Sequence, residues 1–271
     1  MATLETLVIY PVKGCRGQVL ESADVTTQGL AGDRVFTVLM SGQRTNQKQI
    51  PALRELGATW RGTDLELAYP GAPDFTLDTR QSNAGGEEGF RGGRLPSLDM
   101  GDDVAAWLSS ALGERDVRLG KQAGVTPFIL PHPDFDGVHG EPQDRYVDAA
   151  PLLVTFTASL DDLNTRLDAP VTMDRFRPNL VMSGTRAYQE DNIVSLALPG
   201  VTVKTVVDCE RCGVVTVDPA NGDTSKEPLK TLAKYRRREN DYAGGVVFGL
   251  YATVTGAGRI ATGEVAELIL R

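Results

Sequence analysis

Two cysteines three residues apart, with an arginine between them, are the side chains best suited to chemistry in this sequence. They lie in Asp208-Cys209-Glu210-Arg211-Cys212-Gly213, which runs on through Val-Val-Thr-Val into the polar turn Asp218-Pro-Ala-Asn-Gly222. A thiolate held beside a guanidinium suits a soft metal or an activated sulfur, because the positive charge favours the deprotonated thiol. Four readings stay open on these residues. A structural zinc needs four ligands, and the chain adds only Cys15, His132 and His139 as cysteine or histidine donors. A thioredoxin-type redox pair opens a helix after a strand, whereas this pair leads into another extended stretch. Two small buried hydrophobes would satisfy packing alone. The fourth reading is one thiolate serving as metal ligand or sulfur carrier, with Arg211 lowering its pKa.

Two further clusters carry chemistry-bearing side chains. In Met173-Asp-Arg-Phe-Arg-Pro-Asn179 two arginines and an asparagine crowd a turn that Pro178 keeps from continuing as helix. Arg177 and Asn179 there could grip an anion bidentately, or the turn could be a salt-bridged surface feature. In Tyr10-Pro-Val-Lys13-Gly-Cys-Arg-Gly17, followed by Gly32-Asp-Arg34, cations sit beside glycines. Side-chain and backbone N–H groups in such a turn can form a phosphate cradle, although short basic glycine-rich turns are common without one.

These residues must be held by a sizeable core, and 271 residues can bury one or two. With 41% hydrophobic and 24% charged residues the composition is that of a globular protein. The balance of 28 basic and 36 acidic residues, net −8, argues against nucleic acid or an anionic membrane surface as partner. Three cysteines do not make a disulfide framework and point to a reducing compartment. Met1 to Val12 lacks a basic leader and carries Glu5 in its apolar stretch, so it reads as a strand and not a signal peptide. No window approaches a membrane span. The expected location is cytoplasmic.

Strand patterns occur at Leu4–Pro11, Arg34–Met40, Leu65–Tyr69, Val117–Leu119, Leu152–Phe156, Asn179–Met182, Ile193–Leu198, Val201–Val207, Val246–Val254 and Val265–Leu270. Residues 80–94 are glycine- and charge-rich without periodicity and read as an exposed, mobile loop. Helices are expected over Asp102–Gly113, with an aspartate cap and a glycine stop, from about Ser159, and over Glu227–Arg237, opened by Pro228. Many short strands with few helices predict an α+β, mainly β fold of two β-barrel-like modules. The division expected is 1–120, a polar, proline-rich loop or linker over 121–148, and 149–271.

Together YPVKGCRG, GDRVF, FRPNLVMSG, CERCGVVTVDPANG and KEPLKTLAKYRR resemble the MOSC proteins. The resemblance is to the two-module type with an N-terminal MOSC β-barrel domain, the group that includes the mitochondrial amidoxime-reducing component and bacterial relatives. It spans nearly the whole chain. It implies a pyranopterin molybdenum cofactor between the modules, with Cys212 as metal ligand and Lys13, Arg34, Arg177, Asn179, Arg211 and Tyr251 around the cofactor. A basic pocket on a net-acidic chain would focus the cofactor's phosphate and dithiolene. Asp148 matches an acidic position near the metal, with a role in proton delivery.

Three departures from the family pattern stand out: Gly14 replaces a serine, Ala149-Ala150 replaces a Thr-Ser pair, and Glu210 replaces a small polar residue. The first two remove hydroxyls from the expected site, and the third adds a carboxylate. No cysteine follows Cys212, so electrons are expected from a separate protein and not from an iron–sulfur cluster on this chain. Two functions follow: a reductase of small N-hydroxylated or N-oxide substrates, or a carrier of cofactor or of sulfane sulfur on Cys212.

Overall fold

In the computed structural model the described residues are 1–83, 85–90, 93–124, 145–238 and 245–271. The larger of two closed barrels is ringed by Leu180–Ser183, Leu152–Phe156, Val247–Thr255, Val201–Glu210, Ile193–Leu198, Val265–Leu270 and Ala2–Ile9, which pairs back onto Leu180–Ser183. All pairings are antiparallel except Leu152–Phe156 with Leu180–Ser183. Alternation along the strands sends Leu4, Leu7, Ile9, Val154, Leu180, Leu196, Val203 and Ala252 inward to one core. The smaller barrel closes through Phe36–Met40, Gln43–Arg44, Gly85–Phe90, Gly93–Asp99 and Val117–Gln122, with Val12–Lys13 laid parallel to Phe36–Met40. Its core joins Val12, Phe36, Val38 and Leu119 to Val104 and Leu108 of the helix Asp102–Leu112.

Sequence order and barrel membership part company near the N-terminus. Ala2–Ile9 completes the larger barrel, and Ser22–Thr26 pairs with Gly258–Ala261 from the far end of the chain. Its apolar face finds its complement only among strands of the second half.

Residues 80–94 are not simply a loop. Gly85–Phe90 and Gly93–Asp99 form an antiparallel hairpin, with Gly85 opposite Leu98 and Glu87 opposite Pro96. One of its glycines answers to packing: a side chain at Gly89 would collide with the Gln43 side chain. Glu88, in the same strand, is fully buried and ion-paired with Arg44. The helix at Asp102–Leu112 ends on left-handed Gly113 as expected, but its N-cap is Gly101, with the aspartates in the first turn. The second helix runs Thr157–Asn164. The third is one turn, Leu229–Leu232. It stops short because Arg236 is drawn to Asp191 by two hydrogen bonds of 2.6 and 2.7 Å, and its carbonyl accepts from Val247 N–H. Most of the expected 121–148 linker, with His132 and His139, lies outside the described residues.

Candidate active site

The cysteine turn is placed by a β-bulge. Asp208 faces Leu250 and Glu210 faces Val247, so two residues of Val247–Thr255 oppose Cys209 alone. Gly249 absorbs the extra length at φ +79°, and a Cβ there would lie 2.8 Å from the Val154 carbonyl oxygen. Only glycine meets both demands. Beyond the bulge the chain enters a 3-10 turn, Gly213–Thr216, with Cys212 at its N-cap. Val215 anchors that turn in a third small core, where the Phe176 and Phe248 rings stack 4.1 Å apart.

The two cysteines are therefore chemically unlike. Cys209 is 1% exposed, whereas Cys212 is exposed on a cavity wall. Arg211 does not turn to Cys212: its Nη1 donates to Cys209 Sγ at 2.8 Å and its Nη2 to the Phe176 carbonyl at 2.8 Å. Burial pushes the Cys209 thiol up against the opposing pull of Arg211 and of a hydrogen bond with Tyr251. Tyr251 is itself raised well above the usual phenol range, chiefly by burial. Arg211 Nε is buried and, among the described residues, has no hydrogen-bond partner. A buried orphan donor in a cavity wall signals a missing acceptor.

The cavity, about 580 Å³, lies at the seam of the two barrels. Lys13, on Val12–Lys13, donates from Nζ to the Tyr146 carbonyl at 2.9 Å and is ion-paired with Asp148. Lys13 holds the Asp148 carboxyl down to about 2, so Asp148 is a carboxylate at neutral pH. Burial lowers Lys13, with Asp148 opposing. Arg34 and Arg177 both hold left-handed backbone, φ 49° and 55°, at a cost of about 1 kcal/mol or more each. Both guanidiniums lie over the Tyr10 ring, 4.9 and 4.2 Å from its centroid. Arg177 Nη1 donates to the Cys15 carbonyl at 2.7 Å, and the Cys15 thiol is buried and raised to about 12.

Asn179 lines the cavity, yet its amide is committed elsewhere. Its Oδ1 accepts from Arg34 Nη1 and from Leu153 N–H, and its Nδ2 donates to the Val8 carbonyl, each at 3.1 Å. It stitches three segments of chain together and aims Arg34.

Sequence reasoning missed Arg44 to Lys48, and it counted Arg175 in its cluster without giving it a role. Arg44 is ion-paired with Glu88 and lies over the Tyr146 ring at 4.4 Å, and Tyr146 Oη donates to Glu88 Oε2 at 2.9 Å. Gln47 Nε2 donates to the Gly14 carbonyl at 2.7 Å, which draws the 45–48 loop to the cavity rim. The signal available was only the polar run RTNQK after a strand. Arg175 pairs with Asp218 at 2.7 Å, and its Nε is buried without a partner.

Cations dominate the wall. Lys13, Arg34, Arg44, Lys48, Arg175, Arg177 and Arg211 face two carboxylates, Asp148 and Glu210, in a chain of net charge −8. Four of these cations are ion-paired, and the excess carried by Lys48, Arg177 and Arg211 favours an anion in the cleft. Among the described residues no three His, Cys, Asp or Glu side chains converge as a metal cage. A metal held at Cys212 would bring other ligands with it, and a metal in an anionic organic ligand fits that donor set.

Residues 1–115 match the MOSC N-terminal beta barrel domain and residues 138–267 the MOSC domain. The human mitochondrial amidoxime-reducing component 1 is 34% identical over 281 residues, covering 99% of this chain and 83% of that protein. The chain belongs to the MOSC family. Mitochondrial amidoxime reducing component 2 of Bos taurus is 31% identical, covering 97% of this chain and 82% of the relative. Component 1 of Mus musculus is 32% identical, covering 99% and 83%. Among the described residues no helix is long and apolar enough to cross a membrane.

Proposed function

We propose that this MOSC protein is a molybdenum-cofactor-dependent reductase of small N-hydroxylated or N-oxide compounds. The observation that carries the reading is an exposed thiol, Cys212, on the wall of a cation-lined cavity in a chain 34% identical to an amidoxime-reducing component. The residues fit the cofactor. Cys212 offers the soft donor, and Arg177 and Arg211 offer charge to a phosphate and a dithiolene. Arg211 Nε and Arg175 Nε are buried donors without partners, and an anion in the cavity would supply acceptors. When bound, the cofactor supplies a two-electron redox centre that can take oxygen from an N–O bond.

The chain's own residues set the rest. Asn179 and Asp33 fix the Arg34 guanidinium, so its direction is set before any ligand arrives. Asp148 is a carboxylate at neutral pH, held so by Lys13, and burial lowers the Lys13 ammonium against the opposing pull of Asp148. Reduction breaks one N–O bond, consumes two protons and two electrons, and releases water. The electrons come from a separate donor protein, and in this reading the Asp148–Lys13 pair serves proton delivery.

The test is the molybdenum and pterin content of wild type and Cys212→Ala, both purified from a host that makes the cofactor. Near-stoichiometric metal in wild type, lost in the variant together with amidoxime reduction, is expected. No molybdenum in wild type, with Cys212 heavier by about one sulfur atom, would replace the reductase with a sulfur carrier.

A further inference from the structure

Of the two carboxylates in the cavity wall, Asp148 is committed to Lys13. Glu210 is different. It is exposed at the end of strand Val201–Glu210, and among the described residues its carboxylate has no ion pair and no hydrogen bond. Its side chain is laid against the main chain at Gly245, where a Cβ would come within 2.6 Å of Glu210 Cγ. The space left by that glycine lets the side chain rest on backbone instead of sweeping through solvent. Glu210 is also two residues from Cys212, and Cα atoms two apart in sequence lie within roughly 7 Å of each other.

Among the described residues none of the surrounding cations forms an ion pair with it. Arg34 is paired with Asp33, Arg44 with Glu88 and Arg175 with Asp218. Arg211 sends one guanidinium nitrogen to Cys209 and another to the Phe176 carbonyl. An anionic group bound at Cys212 would engage the remaining positive charge and leave Glu210 as the unneutralised ion of the wall. A lone carboxylate beside a reaction centre recognises a planar cation with paired N–H donors, because two parallel charge-assisted hydrogen bonds can form at once.

We propose that Glu210 is a specificity-determining residue that selects cationic N-hydroxylated substrates of the N-hydroxyguanidinium type over neutral amidoxime-type ones. The inference rests on the reductase reading and deepens it. The planar guanidinium end of the substrate pairs with Glu210 while its N–O group faces Cys212. The same contact holds the amidinium or guanidinium product, so products of this class act as competitive inhibitors.

The experiment compares wild type and Glu210→Gln, both purified from the cofactor-producing host with molybdenum assayed on the same samples. Calorimetry gives the affinities of benzamidine, a planar cation, and benzamide, its neutral near-isostere. The ratio of benzamidine to benzamide affinity should fall about tenfold in E210Q, the size of one lost charge-assisted contact. The ratio of kcat/KM for an N-hydroxyguanidine over an amidoxime should fall by a similar factor. Molybdenum-replete samples with the same benzamidine preference in both proteins would overturn the role of Glu210 and leave the reductase standing. Wild type without molybdenum would overturn the reductase and this inference with it.

Discussion

Replacing Asn179 by alanine tests whether that amide is a clamp on a ligand or a cross-link in the fold. Three hydrogen bonds of 3.1 Å converge on a side chain with no exposed surface, and they reach Arg34, Leu153 and Val8. Each is worth about 1 kcal/mol net, and a buried group left without its partner costs about 1–3 kcal/mol. The Leu153 N–H and the Val8 carbonyl both lose this partner, so the expected destabilisation is about 2–4 kcal/mol. For a chain of this size that lowers Tm by roughly 5–10 °C. Urea unfolding followed by circular dichroism should show a lower midpoint at unchanged slope. Asn179→Asp keeps the acceptor for Arg34 and Leu153 but loses the donor to Val8, and should fall between wild type and alanine. Stability of Asn179→Ala within about 0.5 kcal/mol of wild type, with cofactor content lost, would refute the cross-link and restore the ligand clamp.

Glu190 makes a pH prediction. Burial raises its carboxyl to about 7; Oε1 accepts from Ser159 Oγ at 2.6 Å, and Oε2 is buried without a partner. The folded pKa lies above the unfolded value of about 4.3. The fold therefore keeps a proton that the unfolded chain releases, and stability falls as pH rises from about 4.5 to 7, then levels. Glu190→Gln removes this loss, so its stability relative to wild type should rise by about 1–3 kcal/mol between pH 5 and pH 8; a difference that ignores pH would refute the assignment. Thiol labelling makes the other: with Cys15 and Cys209 at 0% and 1% exposure, iodoacetamide should modify Cys212 alone in the native protein and all three after unfolding. A second label on the native chain would show that the bulge does not bury Cys209.

Much of this protein is legible in the sequence because its signals are local. Short apolar and β-branched runs mark Leu152–Phe156, Ile193–Leu198 and Val265–Leu270 with the boundaries observed, and Gly113 stops the first helix where the left-handed turn occurs. The ordered motifs carry Lys13, Arg34, Arg177, Arg211, Cys212 and Tyr251, which line one cavity. What the sequence could not show depends on partners distant along the chain. The paired strands Gly85–Phe90 and Gly93–Asp99 look like a loop in the sequence because they are glycine-rich, and the demand for glycine at Gly89 comes from Gln43, far off along the chain. Which of the two cysteines Arg211 serves is open in the sequence, because both are its near neighbours there. The bulge at Cys209, opposite Gly249, rotates one thiol into the core with Arg211 and leaves the other on the cavity wall. Composition and motif decide which donors exist. Only the tertiary structure decides which are spent on the fold and which stay free for a ligand, because a buried polar group takes whatever partner the packing brings within about 3 Å.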